Sequence, residues 1–419
     1  MGAGYTGLWT ALSLVEQSPT TRVLILEKEI AGFGASGRNG GWVSALFPTS
    51  TSALIHRHGV HPATAMRQAM VDCVPSVGKW ASKLDIDCDF VQGGTTSLVR
   101  ADIHRHRAHS ALQEASMTPA DYMQWRDSAD TLQATHTQGA VFDPACARIH
   151  PAKLVRGLAR SAGAAGIRIA EHTAVLDYRP GVVTTTSGDV QGDIIIDAME
   201  GYRSQLRPTK RASLPLYSLM IATEPLPDSV FDAIGLPHGM TFSDFRSLVI
   251  YGQRTADNRI AFGGRGAPYH WGSTISPEFD RVPRVFEALE TTLKEMFPQI
   301  GQAAITHTWG GVLGVPRDWH ASVTLDTATA IGRAGGYVGD GVGLSHLAGL
   351  TLADLVLGNN TERTTLPFVG HRSPQWEPEP LRYLGATAAI IGVDLADRIE
   401  ERTGRRSLIS RLIAPLTGH

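Results

Sequence analysis

The second to seventh residues constrain this chain more than any others. Gly2-Ala3-Gly4-Tyr5-Thr6-Gly7 is a GxGxxG turn, and it opens onto a helical pattern in which Leu8, Ala11, Leu12, Leu14 and Val15 share one face. Ser18-Pro19-Thr20 stops that helix. Val23-Leu24-Ile25-Leu26 follows as a continuous apolar run of the buried parallel-strand type, ending in Glu27. Glu27 stands twenty residues after Gly7, the offset of a carboxylate that takes two ribose hydroxyls. Turn, helix, strand and acid together point to a Rossmann-like unit that holds a pyrophosphate on backbone N–H groups and a positive helix end. A plain glycine-rich turn is the alternative, since 44 of the 419 residues are glycine. The strand that precedes the first glycine in such a unit has no counterpart, because Met1 abuts Gly2. The expectation is a truncated or misassigned start, or another segment in the central slot.

Composition narrows the function. Hydrophobic residues are 42% and charged residues 19%, which excludes wholesale disorder, and the length holds two to three domains. Lys plus Arg number 38 against 40 for Asp plus Glu, so no field gathers a polyanion and a nucleic-acid role has no electrostatic support. Cys73, Cys88 and Cys146 are odd in number and form no CxxC pair, which reads as buried thiols in a reducing compartment. No uncharged apolar run of about 18 residues occurs, so a soluble, cytoplasmic chain without a membrane span is expected. Met1 to Thr6 also fits the N-myristoylation pattern, but the glycines have the better use just given.

Further along, residues 52 to 85 read as one helix carrying Met66, Met70, Val74, Val77, Trp80 and Leu84. Residues 91 to 99 read as a hairpin and 105 to 117 as a helix. Pro151 starts a helix to about residue 165, followed by short strands at 167–170, 174–178, 182–187 and 190–197. Strands near 216–223, 247–253, 259–263 and 305–312 with a helix at 282–296 read as a mixed sheet. A second glycine cluster, Gly336 to Ser345, opens an apolar helix through Leu357, and 378 to 419 reads as two amphipathic helices.

Gly32-Phe33-Gly34-Ala35-Ser36-Gly37-Arg38-Asn39-Gly40-Gly41-Trp42 is too glycine-dense for a helix and comes straight after the ribose acid. Trp42, Val43 and Leu46 argue for burial against a flat ligand; a flexible surface loop is the alternative. With GAGYTGLWTALSL, VLILEKEIAGFGASGRNGGW, FDPACARIHPAKLVRGLA, YGQRTADNRIAFGGRGAPYH and GGYVGDGVGLSHLAGLTLADL, the chain resembles the D-amino-acid oxidase/glycine oxidase superfamily of FAD-dependent oxidoreductases, in the γ-glutamylputrescine oxidase-like branch. The resemblance spans most of the chain. It implies that Gly2, Gly4 and Gly7, with Tyr5 and Thr6, hold the FAD pyrophosphate, and that Glu27 beside Lys28 holds the adenosine ribose. Gly34, Ala35, Ser36, Arg38, Asn39, Gly40, Gly41 and Trp42 would line the ribityl chain and flavin, and the Val175 backbone would meet adenine. Gly339, Asp340, Gly341, Val342, Gly343, Leu344 and Ser345 would set a helix N-terminus against the flavin's pyrimidine edge, where its free N–H groups favour the negative charge of reduced flavin. A tight strand-to-helix turn is the alternative there. FAD is expected to be non-covalent, because the Gly34 to Trp42 loop has no His or Cys and no cysteine is near the C-terminal motif.

Substrate candidates are Arg265, able to take a carboxylate, His270 beside it, and Tyr251 and Trp309 as flavin walls; packed aromatics or surface-paired charges are equally good readings. His56, His58 and His61, and His104, His106 and His109, lack acidic or Cys partners, so no metal is expected. No nucleophile elbow supports hydrolysis. The expected fold is two-domain α/β: a discontinuous Rossmann-like FAD domain (1–75, 150–210 and 325–365), a mixed-sheet α+β substrate domain (76–149 and 211–324), and a C-terminal helical tail (366–419). The expected activity is oxidative deamination of a small-molecule amine or amino acid, with hydride passing to flavin N5 and dioxygen or another acceptor reoxidising it. A flavin dehydrogenase using a non-oxygen acceptor, or a non-catalytic flavoprotein, are the alternatives.

Overall fold

The helices opened by the two glycine turns, Tyr5–Gln17 and Gly341–Leu357, lie side by side, with Trp9 edge-on to His346 at 4.5 Å between ring centroids. The computed structural model of the chain describes residues 1–119, 123–264, 266–405 and 407–409. Both helices pack on one core, where Leu8, Trp9, Met66, Met70, Val74, Leu154, Leu158, Leu344 and Leu352 are buried. At about 1.5–3 kcal/mol for each fully buried large apolar side chain, that core is what holds the glycine turns in place.

The parallel sheet beneath them is in two pieces. Strand Leu24–Leu26 pairs parallel with Arg168–Ala170, placing Ile25 opposite Ile169. Strand Ile195–Asp197 pairs parallel with Ile331–Gly335, which pairs antiparallel with Ser322–Asp326. The central slot falls between the pieces, and Met1 and Gly2 lie in it. The Met1 ammonium donates to Ile196 O (2.8 Å), Ala198 N–H to Met1 O (3.0 Å) and Gly2 N–H to Leu26 O (2.8 Å). Helix Pro151–Ala164 starts with proline in its first turn and His150 accepting from Lys153 N–H. A three-stranded antiparallel sheet, Val175–Arg179, Val182–Thr185 and Gly188–Gln191, flanks the adjacent edge.

The second lobe is an eight-stranded mixed sheet. In spatial order its strands are Ile305–Val315, Leu214–Thr223, Ile260–Gly264, Ile250–Arg254, Thr241–Asp244, Thr95–Val99, Gly139–Asp143 and Gln124–Arg126. Helix Pro283–Met296 buries Val285, Leu289, Leu293 and Met296, spaced at three to four residues, on this sheet's core of Leu219, Phe242 and Phe262.

Several expectations are corrected. The 52 to 85 region is two helices, Thr51–His58 and Val60–Lys83, broken at Gly59, whose φ of +86° no helix continues through. The boundary drawn at residue 75 falls inside the second, whose Met66, Met70, Val74, Val77 and Ala81 belong to the first core. Residues 91 to 99 are not a hairpin: Thr95–Val99 is a single strand pairing with distant Gly139–Asp143 and Thr241–Asp244, because long-range partners outcompete a local turn. Strand 190–197 divides between the antiparallel flank and the parallel sheet. Of the two helices expected in the tail, Leu381–Thr403 is present; residues 408–409 are helical, and residues 410–419 lie outside the described residues. No described helix is long and apolar enough to cross a membrane.

Candidate active site

Between the lobes runs a cleft of about 460 Å³, a size suited to a small-molecule site. The first glycine turn forms its floor. Gly2 sits at φ +96°, and a Cβ on Gly7 would fall 2.1 Å from Gly2 O, so the turn closes only because neither residue carries a side chain. Glu27 Oε2 accepts from Ala3 N–H (2.8 Å) and Oε1 from Glu29 N–H (3.0 Å). A carboxylate has about four acceptor sites, so two remain for a ligand. Ser36 Oγ accepts from Tyr5 N–H at 2.9 Å, tying the glycine-dense loop to the first turn. Asn39 holds that loop shut, donating from Nδ2 to Ala35 O and Ser36 O while Oδ1 accepts from Gly41 N–H at 2.8 Å.

The second glycine cluster reaches the same cleft from over 330 residues away in sequence. Thr6 Oγ1 and Tyr337 OH, 2.8 Å apart, join the two turns directly. Neither N-cap residue, Gly4 or Asp340, caps its helix with a side chain, and neither helix has an acid in its first turn. Apart from the Tyr5 N–H that Ser36 takes, first-turn N–H groups at both helix N-termini have no side-chain cap, and the second start carries the Asp340 carboxyl beside it.

Of the cofactor residues expected from sequence, Gly2, Gly4, Tyr5, Thr6, Glu27, Lys28, Gly34, Ala35, Ser36, Asn39, Val175, Gly339, Gly341, Val342 and Ser345 line the cleft. Gly7, Arg38, Gly40, Gly41, Trp42, Asp340, Gly343 and Leu344 stand behind this lining. Gly40 packs against the Tyr251 ring, Gly41 against Gln253, and Trp42 pairs with Arg148 across two strands. Cys73, remote in sequence from the C-terminal motif, is not remote in space. Its thiol donates to Gly343 O at 2.8 Å, and burial pushes it up to about 12, which keeps it protonated and unreactive.

The substrate candidates are placed less directly. Tyr251 OH shares a hydrogen bond with Ser218 Oγ (2.7 Å), and Trp309 Nε1 donates to Arg38 O (2.9 Å). His270 stacks on Phe279 and meets Tyr217 edge-on, one ring removed from the cleft. Arg265 lies outside the described residues.

The opposite wall is one that sequence reasoning missed. It consists of Glu200, Tyr202, Tyr217, Ser276, Asp280, Val312, Leu313 and Gly314. Glu200 is a knot in the wall: its carboxylate accepts from Gly314 N–H (2.6 Å), Gly336 N–H (2.9 Å) and Tyr337 N–H (3.2 Å), although burial pushes its proton affinity up. Tyr217 OH accepts from Ser276 N–H at 3.2 Å, and burial raises this phenol to about 12. Arg38 Nη1 donates to Asp280 Oδ2 at 2.7 Å and so ties the two walls together. The one available signal was Gly310, Gly311 and Gly314 inside a strand, since strand glycines mark close approach.

A glycine-lined floor, a carboxylate with acceptor capacity and two helix N-termini in one elongated cleft fit the pyrophosphate, ribose and flavin of FAD. Comparison with known proteins agrees. A family model described as DAO, FAD dependent oxidoreductase, matches residues 1–355. The chain is 29% identical over 382 residues to the probable oxidoreductase OrdL of Rhizobium meliloti (strain 1021), covering 86% of this chain and 83% of that one. It is 27% identical over 380 residues to the gamma-glutamylputrescine oxidoreductase of Escherichia coli (strain K12), with the same coverages of 86% and 83%. Among solved structures, glycine oxidase from Geobacillus kaustophilus matches with a TM-score of 0.72 at 22% identity, over 89% of this chain and 97% of that one. The fold is thus the α/β arrangement of an FAD domain and a mixed-sheet substrate domain.

Proposed function

This chain belongs to the DAO family of FAD-dependent oxidoreductases, and from that membership we propose that it oxidises the C–N bond of an amine or amino acid, using FAD held without a covalent bond. The observation that carries the reading is the convergence of two sequence-remote glycine turns on one cleft whose far wall carries Tyr202, Tyr217, Val312 and Leu313. Backbone N–H groups at Gly4 and Thr6 would hold the pyrophosphate, Glu27 the ribose, the Val175 backbone the adenine, and the first turn at Gly341 the electron-rich edge of the flavin. When bound, the flavin supplies a two-electron acceptor for the hydride on the carbon beside nitrogen.

The chain's own contribution is positioning and water exclusion. Tyr202, Tyr217, Val312 and Leu313 form a wall that keeps bulk water from the amine carbon, and Glu200 fixes that wall to the Gly336–Tyr337 turn. An amine loses hydride readily only when neutral, so a substrate ammonium first gives its proton to solvent water; loss of hydride would leave an iminium, which water hydrolyses to a carbonyl compound and ammonium or a smaller amine.

The test is direct. Protein purified with FAD is expected to be yellow, and anaerobic addition of primary amines, secondary amines and amino acids in turn is expected to bleach the flavin band with at least one of them. Bleaching by none removes the oxidation reading, and a colourless protein after FAD addition favours a non-catalytic scaffold. Mixing the reduced protein with oxygen then separates an oxidase from a dehydrogenase that needs another acceptor.

A further inference from the structure

Asp280 is the one acidic group on the sheet-side wall whose carboxylate is not consumed by the fold. Glu200, its neighbour along the lining, has its oxygens committed to three backbone N–H groups. Asp280 commits only Oδ2, to Arg38, and among the described residues no hydrogen-bond donor reaches Oδ1. Its side chain is 19% exposed, which puts it at the edge of the cleft rather than inside the core. Arg38 does not itself line the cleft. Tyr202 and Tyr217 line the cleft within electrostatic range of Asp280. From Tyr202 round to Ser345 no described lining residue is cationic; Lys28, the cation at the other end, faces Glu29 at 3.7 Å.

Resting on the amine-oxidation reading, we propose that Asp280, on the same wall as Tyr202 and Tyr217, is the receptor for the substrate's ammonium group, so that the substrate class is a cationic amine rather than a compound held by its carboxylate. A half-buried carboxylate attracts an ammonium more strongly than a fully solvated one, because less water screens the pair. Electron-rich ring faces add cation–π attraction, about 0.5–2 kcal/mol per favourable contact. The Arg38 bond fixes the carboxylate through Oδ2 and leaves Oδ1 without a donor among the described residues. Burial raises the Asp280 carboxyl while Arg38 and, more weakly, Arg281 pull it back, so an arriving ammonium acts with them in keeping it ionised. A ligand carboxylate in the same corner meets the like charge instead.

The probes are n-butylamine and n-butanoate, one chain length with opposite charges, titrated calorimetrically into anaerobic holoenzyme. The wild type is expected to bind butylammonium tighter than butanoate by about tenfold or more, and Asp280→Asn, which can still accept from Arg38, to lose about tenfold for butylammonium while butanoate, relieved of the like charge, binds tighter. Asp280→Glu restores the preference. Should Asp280→Asn fail to retain FAD, Tyr202→Leu serves: butylammonium weakens by about threefold and butanoate does not. Wild-type preference for butanoate, binding of neither probe, or equal effects on both probes in these variants overturns the proposal. If amines bind through Asp280 yet none bleaches the flavin, the oxidation reading fails and the receptor stands. If amines bleach the flavin with unaltered KM in Asp280→Asn, the reverse holds.

Discussion

The two walls of the cleft are built on opposite plans. The floor is main chain: turns at Gly2 to Gly7 and at Gly339 to Gly341, tied together through Thr6 and Tyr337. The facing wall is side chains, Tyr202, Tyr217, Asp280, Val312 and Leu313, delivered by a 3-10 segment, two strands and a second 3-10 turn. A backbone wall presents the same N–H groups whatever its sequence, but tolerates no extra atom where chain meets chain. A side-chain wall can be recut residue by residue while the strands beneath keep their ladder. The first plan suits a ligand that stays constant, the second a ligand that differs between relatives.

The sharpest way to break this contrast is Gly7→Ala. Its new Cβ would lie 2.1 Å from Gly2 O, a backbone atom that cannot swing aside. Overpacking of this kind costs about 3 kcal/mol or more, so the variant is expected to emerge colourless from desalting. Full retention of FAD would show that the floor is not rigid. Glu27→Gln comes next: removing charge from an acceptor of two N–H groups costs about 1.5–3 kcal/mol, which fluorescence titration should register as a FAD dissociation constant raised roughly ten- to hundredfold.

Acid offers a test that reaches both lobes. His346 on the floor side is held down to about 3, and His104 on the sheet side to about 4, in each case chiefly by burial. Their folded values lie below the ordinary 6.5, so the unfolded chain binds more protons in that interval. Stability contributed by keeping them neutral is fully present above about pH 6.5 and falls as pH drops toward 4. Melting temperatures measured across that range should decline, and His346→Leu should flatten part of the slope; a level profile would refute the assignment. The smallest effect is expected at Tyr217→Phe, which strips one hydrogen bond from Ser276 N–H. At about 1 kcal/mol this shifts KM by about fivefold and leaves FAD affinity untouched. A matching loss of FAD would mean that the walls are not independent.

Elements with strong local periodicity could be read before folding. Tyr5–Gln17, Leu24–Leu26, Pro151–Ala164 and Pro283–Met296 fall within a few residues of their expected positions, because each carries its own apolar spacing and stop or start residues. Thr95–Val99 was misread as half of a hairpin because its partners lie some 45 and 145 residues downstream, and a pairing with no local turn leaves no local mark. Gly59 was passed over inside an apolar repeat that runs on both sides of it. The same division holds at the site. The glycine turns and Glu27 were readable as cleft-lining residues since short contiguous motifs carry them, whereas Tyr202, Tyr217 and Asp280 had no pattern to announce them.

Local chemistry was therefore sufficient for the floor: φ angles open only to glycine, an uncapped helix start and an acid at the end of a strand are properties of neighbouring residues, and they specify this tight turn wherever the chain goes afterward. Folding alone could supply the facing wall, the latch from Arg38 to Asp280 and the meeting of Cys73 with Gly343, because these depend on which strand lies beside which. Sheet register is a long-range choice settled by burying the whole core at once, and no stretch of sequence contains it.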